Sequence, residues 1–385
     1  MTVQKIFQKN LHVNEKCVII FFVGNFPTKI LEKGDYMLKK AIITAASILV
    51  LYILAGFILT NIFLAQYFAR VDNTGNFTTL LTHEHLQLQS QDVQFVSGEN
   101  TLIGRVYSPT EPIGLLILIH GFGGDMESLL SVADFFVRHD WKVLVYSGTG
   151  VAPSQGASRV SLQQAVTDLR AALNFVTTNA DFSGLPIALF GHSQGGYAAT
   201  AVLNYSEGDF VTAAVSFAGI NHTGETLFAF GRSWIGFAYP LLHPFVRVLQ
   251  NADFGGYSAV DGINSRNIPV ILVQGGNDTF FPTLDLTITH SPGITNPNAE
   301  IIILQDYWND GHNSVLWSQD AFDYREEVHA TFGDFVESLG IESTYLTNEH
   351  LFEWEAAVGF DRFRMNTVDL ALFGRIEEFL RTHAN

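Results

Sequence analysis

The sequence predicts an α/β fold: a mostly parallel central sheet with helices on both faces, an inserted cap, and a single transmembrane helix in front. Three observations predict it. From about residue 92 onward, short apolar runs alternate with amphipathic helical stretches, the rhythm of a parallel sheet covered on both sides. One of those runs ends in a glycine-flanked serine and passes at once into helix-tolerant residues. Near the beginning, Ala41–Ala65 contains no charged residue.

That apolar run is long enough to cross a hydrocarbon core, which takes ~20 helical residues. Lys39 and Lys40 precede it, so the lysine bias puts the N-terminal side in the cytoplasm and the body outside the cell membrane, with one pass. The run is longer than the apolar part of a signal peptide and lacks a small-x-small cleavage pattern, so an anchor is read in preference to a cleaved signal. Residues 1–40 form a cytoplasmic segment. Within it Val18–Val23 is apolar but too short to span, and "MLKKAIITAAS" from Met37 reads as the natural start of such a protein, which makes residues 1–36 a candidate mis-assigned start. Residues 66–91 read as a linker, and 92–385 as the main domain.

Composition narrows the class. The 385 residues are 47% hydrophobic and carry a net charge of −17. Lys exceeds acids by four within residues 1–40, and Lys142 is the only later lysine, so the rest of the chain carries −21. Such a body repels nucleic acid. The single cysteine, Cys17, allows no disulfide framework, zinc cluster or thiol nucleophile built from Cys within one chain. No metal-ligand spacing or phosphate loop stands out, and neither metal nor organic cofactor is expected.

In the main domain "DVQFVS" and "TLIGRVYS" read as two strands joined at Gly98–Asn100, a hairpin signal. "IGLLILIH" and "KVLVYS" suit buried parallel strands. "DMESLLSVADFFVRHD" between them has helical spacing, and Ser161–Thr178 reads as an amphipathic helix capped by Ser161. The strands "PIALF", "VTAAVSF", "IPVILVQ" and "AEIIIL" follow. Residues 218–268 break the rhythm with Phe228, Phe230, Trp234, Phe237, Tyr239, Phe245, Phe254 and Tyr257. They read as a cap whose aromatics form its own core or line an apolar acyl pocket. After Gly340, Glu353–Phe363 is a candidate to pack on the cap, and "DLALFGRIEEFLRTHA" is a candidate sheet-covering helix.

Gly191-His192-Ser193-Gln194-Gly195 fits G-x-S-x-G between a strand and a helix, the context in which that pattern makes a nucleophile elbow. The serine backbone must be strained, and Gly191 and Gly195 must be small so that strand and helix can approach. A serine hydroxyl needs a base, and the base needs an orienting acid. Asp278 follows "IPVILVQ" and His312 follows "AEIIILQ", each on a loop at the C-terminal end of its strand. His290, His329 and the substitute acid Asp310 are weaker rivals. Upstream, His120-Gly121-Phe122-Gly123 has the H-G-x-G form of an oxyanion loop. The N–H groups of Phe122 and Gln194 are the candidate donors, with His120 holding the loop.

From about Val93 onward the chain resembles the α/β-hydrolase superfamily, in the capped bacterial branch that holds esterases, lipases and serine peptidases. The elbow, the His120–Gly123 loop and the Asp278 and His312 loops match its pattern in order. Val143–Ser158 resembles the segment after the fourth strand there, although Ser147 stands where an acid is common and the glycine rhythm is one residue longer. The resemblance implies an acyl-enzyme on Ser193 and a small-molecule or lipid acyl substrate. It leaves carboxylic ester hydrolase, acyltransferase, thioesterase and peptidase open, and makes a non-catalytic surface protein the remaining alternative.

Overall fold

A computed structural model describes residues 36–72, 81–236, 239–251, 258–340 and 348–384. The expectations for residues 1–35 and for Phe237, Phe254 and Tyr257 lie outside the described residues, as does the Trp234 side chain. The chain divides into two units, Met1–Ile58 and Leu59–Asn385.

The first helix, α1, runs Tyr36–Tyr67. Its stretch Lys39–Tyr67 is long and apolar enough to cross a membrane. At 1.5 Å per residue those 29 residues reach about 43 Å, against a hydrocarbon core of about 30 Å. Residues from Leu59 onward belong to the second unit. There Leu64 and Phe68 are buried in the main core, and Phe63 and Tyr67 pack against it.

Eight strands form one sheet in the order β1-β2-β4-β3-β5-β6-β7-β8. β1 (Ser90–Ser97) and β2 (Asn100–Tyr107) form the expected hairpin, closing with Ser97 opposite Asn100. β2 is antiparallel to β4 (Trp141–Tyr146). β3 (Gly114–Ile119), β4, β5 (Ile187–His192), β6 (Val211–Phe217), β7 (Val270–Gly275) and β8 (Ala299–Leu304) are parallel neighbours within that order. Parallel strands need crossovers, and the crossover helices bury both faces, which is why β3, β5 and β7 are buried along their whole length, while the edge strand β8 exposes Ile301 and Ile303.

Successive strand residues point to opposite faces, and the two faces fill separately. Ile117, Ile119, Leu144, Leu189 and Leu272 join α3 (Gln164–Thr178) and α4 (Gln194–Ala201) in one cluster. Leu116, Leu118, Val143, Phe190 and Val273 join α2 (Leu130–Val137) in the other. Leu372, Phe373, Ile376 and Leu380 of α10 (Leu370–His383) lie in that second cluster, so this helix covers the sheet.

Two helices start later than their apolar spacing suggests. Ser161 does not cap α3 directly; its Oγ accepts the Gln164 N–H at 3.2 Å in a turn that precedes the helix. Before α2, Asp125 and Ser128 tie the chain into a side-chain-bonded turn, in which the Asp125 N–H donates to Ser128 Oγ and the Glu127 N–H to Asp125 Oδ1. Such local bonds compete with helix.

Between β6 and β7 lie α5 (Thr223–Ile235), α6 (Tyr239–Asn251) and α7 (Ala259–Ser265). All three reach the main core, through Leu227 of α5, Tyr239 and Val246 of α6, and Ala259, Val260 and Ile263 of α7, and α7 lies directly on α4, where a Cβ added at Gly262 would stand 2.0 Å from the Thr200 carbonyl oxygen. Glu353–Phe363 packs elsewhere. Trp354 of α9 (Asn348–Val358) forms a small separate cluster with Val328 and Met365, its ring edge-on to Phe332 of α8 (Gln319–Leu339). Amphipathic spacing shows that this helix buries a face and carries no information about which neighbour covers it.

Candidate active site

The turn from β5 into α4 is a steric construction. A Cβ added at Gly191 would stand 2.0 Å from the Gly195 carbonyl oxygen, and one added at Gly195 would stand 2.0 Å from the Ile119 carbonyl oxygen. Strand, helix and the neighbouring strand end therefore meet backbone to backbone. Ser193 between them has φ 56° and ψ −116°, a conformation that an L-residue holds only when its surroundings over-determine it. The bend puts the serine at the C-terminal end of a central strand and at the start of α4, where unpaired N–H groups favour negative charge.

The other two side chains arrive from the next loops along the sheet. Gly275 lets them approach, since a Cβ there would meet the Asp310 carbonyl oxygen at 2.3 Å. The Asn277 N–H donates to that same oxygen at 2.9 Å, tying the loop after β7 to the loop after β8. Asp310 thus contributes its backbone, while Asp278 carries the carboxylate. His312 Nδ1 lies 2.8 Å from Asp278 Oδ2, and His312 Nε2 lies 3.0 Å from Ser193 Oγ. The Asp278 side chain is fully buried and that of His312 is 9% exposed, so water hardly screens the pair. The structure therefore brings Ser193, His312 and Asp278 together. His290 instead bonds Thr287 and Thr289, and His329 lies within α8.

The loop after β3 closes the other side of Ser193. Gly121 approaches closely: a Cβ there would stand 3.3 Å from Ser193 Cβ. His120 donates from Nδ1 to the Gly121 carbonyl at 2.8 Å and accepts the Gly148 N–H at Nε2 at 3.1 Å. Those two bonds use up both nitrogens of the neutral ring, and burial lowers its pKa from the usual histidine value. Gly123 sits at φ +84°, in the left-handed region. Where an acid is common, Ser147 is buried, with Oγ accepting the Met126 N–H. A carboxylate is supplied nearby by Asp168 of α3, which accepts from Ser97, from Thr149 N–H and Oγ1, and from Gln164.

A family model described as serine aminopeptidase, S33, matches residues 110–256. Among solved structures, an esterase of Pyrococcus furiosus superposes with a TM-score of 0.51 at 17% identity, over 70% of this chain and 98% of that one. The Est1E protein of Butyrivibrio proteoclasticus with ferulic acid bound matches at a TM-score of 0.45 and 20% identity, over 57% of this chain and 90% of that one. An acylaminoacyl peptidase of Pyrococcus horikoshii matches at 0.45 and 17% identity, over 59% of this chain and 38% of that one. No curated protein matches. The chain has the α/β-hydrolase fold.

Sequence reasoning missed several residues of this α/β-hydrolase site. His192, the variable residue before the serine, is buried and donates from Nε2 to the His312 carbonyl at 2.9 Å. Burial, with the neighbouring His312 ring second, lowers its pKa to about 4. It is a neutral donor that holds the backbone of the His312 loop. Gln274, buried on β7, donates to Asp278 Oδ2 at 2.9 Å, and the Phe280 N–H donates to Oδ1 at 3.1 Å. Phe280 stacks on the His312 ring (centroids 4.2 Å apart, planes at 15°), while Phe281 meets it edge-on. Phe230 of α5 lies against both phenylalanines, so one cap aromatic reaches the histidine's wall. Phe228 instead packs on Tyr239 and His243 inside the cap. The doublet "FF" after Asp278 was the available signal for that wall. Nothing in the sequence marked His192, whose partner is 120 positions away, or Gln274, which reads as any residue inside a buried strand.

Proposed function

We propose that the chain is a serine hydrolase that cleaves a carboxylic ester or related acyl substrate through an acyl-Ser193 intermediate. The observation that carries this reading is the unbroken line from Ser193 Oγ through both nitrogens of His312 to the buried carboxylate of Asp278. In that arrangement His312 Nε2 takes the hydroxyl proton as Oγ attacks the carbonyl carbon. Asp278 holds the Nδ1–H tautomer and stabilises the imidazolium that forms. The carbonyl oxygen becomes an oxyanion beside the Phe122 and Gln194 N–H groups, our assigned donors. His312 then protonates the leaving alcohol, and water repeats the sequence on the acyl-enzyme to release the acid. This cycle uses side chains, two backbone N–H groups and water.

The S33 description favours a second reading, a peptidase on the same triad. The aromatic wall of Phe280, Phe281 and Phe230 favours an apolar acyl group instead. Acyltransferase and thioesterase activities would need only a different acceptor or leaving group. The apolar α1 supports a single-pass anchor in the cell membrane, and Lys39 and Lys40 support a cytoplasmic N-terminus with the hydrolase outside.

The deciding experiment is labelling of the full chain in detergent with a fluorophosphonate probe. Wild type should label, and Ser193→Ala and His312→Ala should not. A folded wild-type protein that takes up no probe overturns the enzyme reading, and labelling that survives Ser193→Ala moves the nucleophile elsewhere. A p-nitrophenyl ester chain-length series beside aminoacyl p-nitroanilides separates esterase from peptidase. Protease shaving of intact cells should remove the domain, and full protection would reverse the orientation.

A further inference from the structure

Phe122 belongs to a loop rich in glycine. Gly121 precedes it, Gly123 and Gly124 follow, and Gly123 has φ +84°. Glycine backbones carry the largest conformational freedom. His120 and the Gly124 N–H hold the Gly121 carbonyl on one side, and the Phe122 ring is the side-chain handle on the N–H assigned above to the oxyanion.

That ring is boxed on three sides by residues far away in sequence. Tyr67 stacks on it with centroids 5.1 Å apart and planes at 25°. Phe68, 1% exposed, meets it edge-on at 5.9 Å and 89°. The Arg159 guanidinium carbon lies 3.9 Å from the ring centroid. Arg159 is itself held by the same segment, donating from Nη2 to the Tyr67 carbonyl at 2.7 Å and from Nε to the Ala69 carbonyl at 2.9 Å. Its backbone N–H donates to the Phe68 carbonyl at 2.8 Å. Beyond it, the Val71 N–H bonds the Gly150 carbonyl, and the Ala152 N–H bonds the Val71 carbonyl. Arg70 reaches the carbonyls of Ser154 and Gly156 at 2.9 and 2.8 Å. The chain leaving α1 is thus zipped onto residues 150–159 before any tether begins.

We propose that Tyr67 and Phe68, at the end of the apolar helix, are positioning residues for the oxyanion-binding N–H of Phe122. Catalytic power then depends on the attached end of the helix as well as on the domain that follows. The idea rests on the serine-hydrolase reading above. Removing one oxyanion donor outright costs ~100–1000-fold in rate. Loosening it should cost part of that, and the loss should fall on the transition state, with little change in substrate binding.

The test uses the full chain in detergent with p-nitrophenyl butyrate. Tyr67→Ala should lower kcat by about 10–100-fold and leave KM within about twofold, since the lost interaction acts only on the developing oxyanion. Affinity for a trifluoromethyl ketone, whose adduct carries an oxyanion, should fall by the same factor. Tyr67→Phe, which keeps the ring, should restore kcat to within about twofold of wild type. A folded Tyr67→Ala protein with unchanged kcat and ketone affinity overturns the proposal, as does a Tyr67→Phe protein as slow as Tyr67→Ala. Should Tyr67→Ala fail to fold, Arg159→Lys removes the planar cation from the ring's other side; unchanged kcat there also overturns it. Wild-type protein that neither turns over nor labels at Ser193 fails the hydrolase reading itself, whereas an active wild type with an indifferent Tyr67 fails only the clamp.

Discussion

His192 ties the stability of the site to pH. In the folded protein its pKa is lowered from 6.5 to about 4, chiefly because burial disfavours the imidazolium. In the unfolded chain it titrates near the ordinary value. Between those two values the unfolded state binds more protons than the folded state, so stability falls as pH falls. The contribution is complete above the unfolded pKa, is lost progressively down to about 4, and changes little below that. At about 1.4 kcal/mol per unit, the loss by pH 4.5 is on the order of 2.5 kcal/mol relative to neutral pH. His120, also buried with a lowered pKa, acts with the same sign. To isolate His192, the perturbation is His192→Gln, whose side-chain amide can still donate to the His312 carbonyl but does not titrate. Thermal unfolding of both full-length proteins, followed by intrinsic fluorescence at pH 7.5 and 4.5, gives the difference. Wild type should lose about 2.5 kcal/mol more than the variant across that interval, roughly 3–4 °C of extra Tm loss. Equal losses in the two proteins would refute the reasoning, since they would mean that His192 is protonated in the fold or reaches solvent.

Three further outcomes follow from the site. Gly195→Ala should abolish folded protein or lower stability by about 3 kcal/mol or more, because its Cβ would stand 2.0 Å and 2.8 Å from two backbone carbonyl oxygens that cannot rotate away; expression yield and Tm check this. Asp278→Asn should leave the fold intact and lower kcat by roughly 10⁴, since an amide selects the wrong His312 tautomer, as steady-state kinetics would show. Phe280→Ala should cost under about 1 kcal/mol of stability, because the side chain is half-exposed. It should nevertheless weaken kcat/KM more for long acyl esters than for acetate if this wall receives the acyl group, which the ester chain-length series measures.

Much of the fold and the candidate triad was legible because each rests on a local demand. Apolar runs that alternate with amphipathic helices predict the sheet, and the elbow announces itself because only glycine fits at residues 191 and 195. Asp278 and His312 were legible because strand ends were. What escaped notice was set by partners distant in sequence. The His192 bond to His312 spans 120 positions, and Gln274 looks like any residue of a buried strand. The cap's aromatics could have faced inward or toward the site, and Phe228 and Phe230 do one each. Tyr67 and Phe68 were absorbed into a membrane helix and its linker. An apolar residue at a helix end has the same sequence signature whether lipid or protein covers it.

The physical division inside the site follows from these contacts. Ser193, His312 and Asp278 stand on the ends of β5, β7 and β8, where Gly191, Gly195 and Gly275 let backbones cross within distances that admit no Cβ. A side chain placed there must shift backbone, so damage on this half is felt first by the fold. The oxyanion side is built differently, from a glycine loop held by the two hydrogen bonds of His120 and by one aromatic ring with the residues around it. A Cβ at Gly123 would meet only the Arg159 guanidinium, at 3.8 Å, while the Gly124 N–H bond to the Gly121 carbonyl at 3.1 Å closes the turn around it. Truncations around that ring remove core packing as well, so they should lower both Tm and turnover, whereas a change that keeps the ring, such as Tyr67→Phe, should spare both. Tyr67 falls on this half, and comparing kcat and ketone affinity of Tyr67→Ala with those of Tyr67→Phe separates positioning from stability where Gly195→Ala cannot.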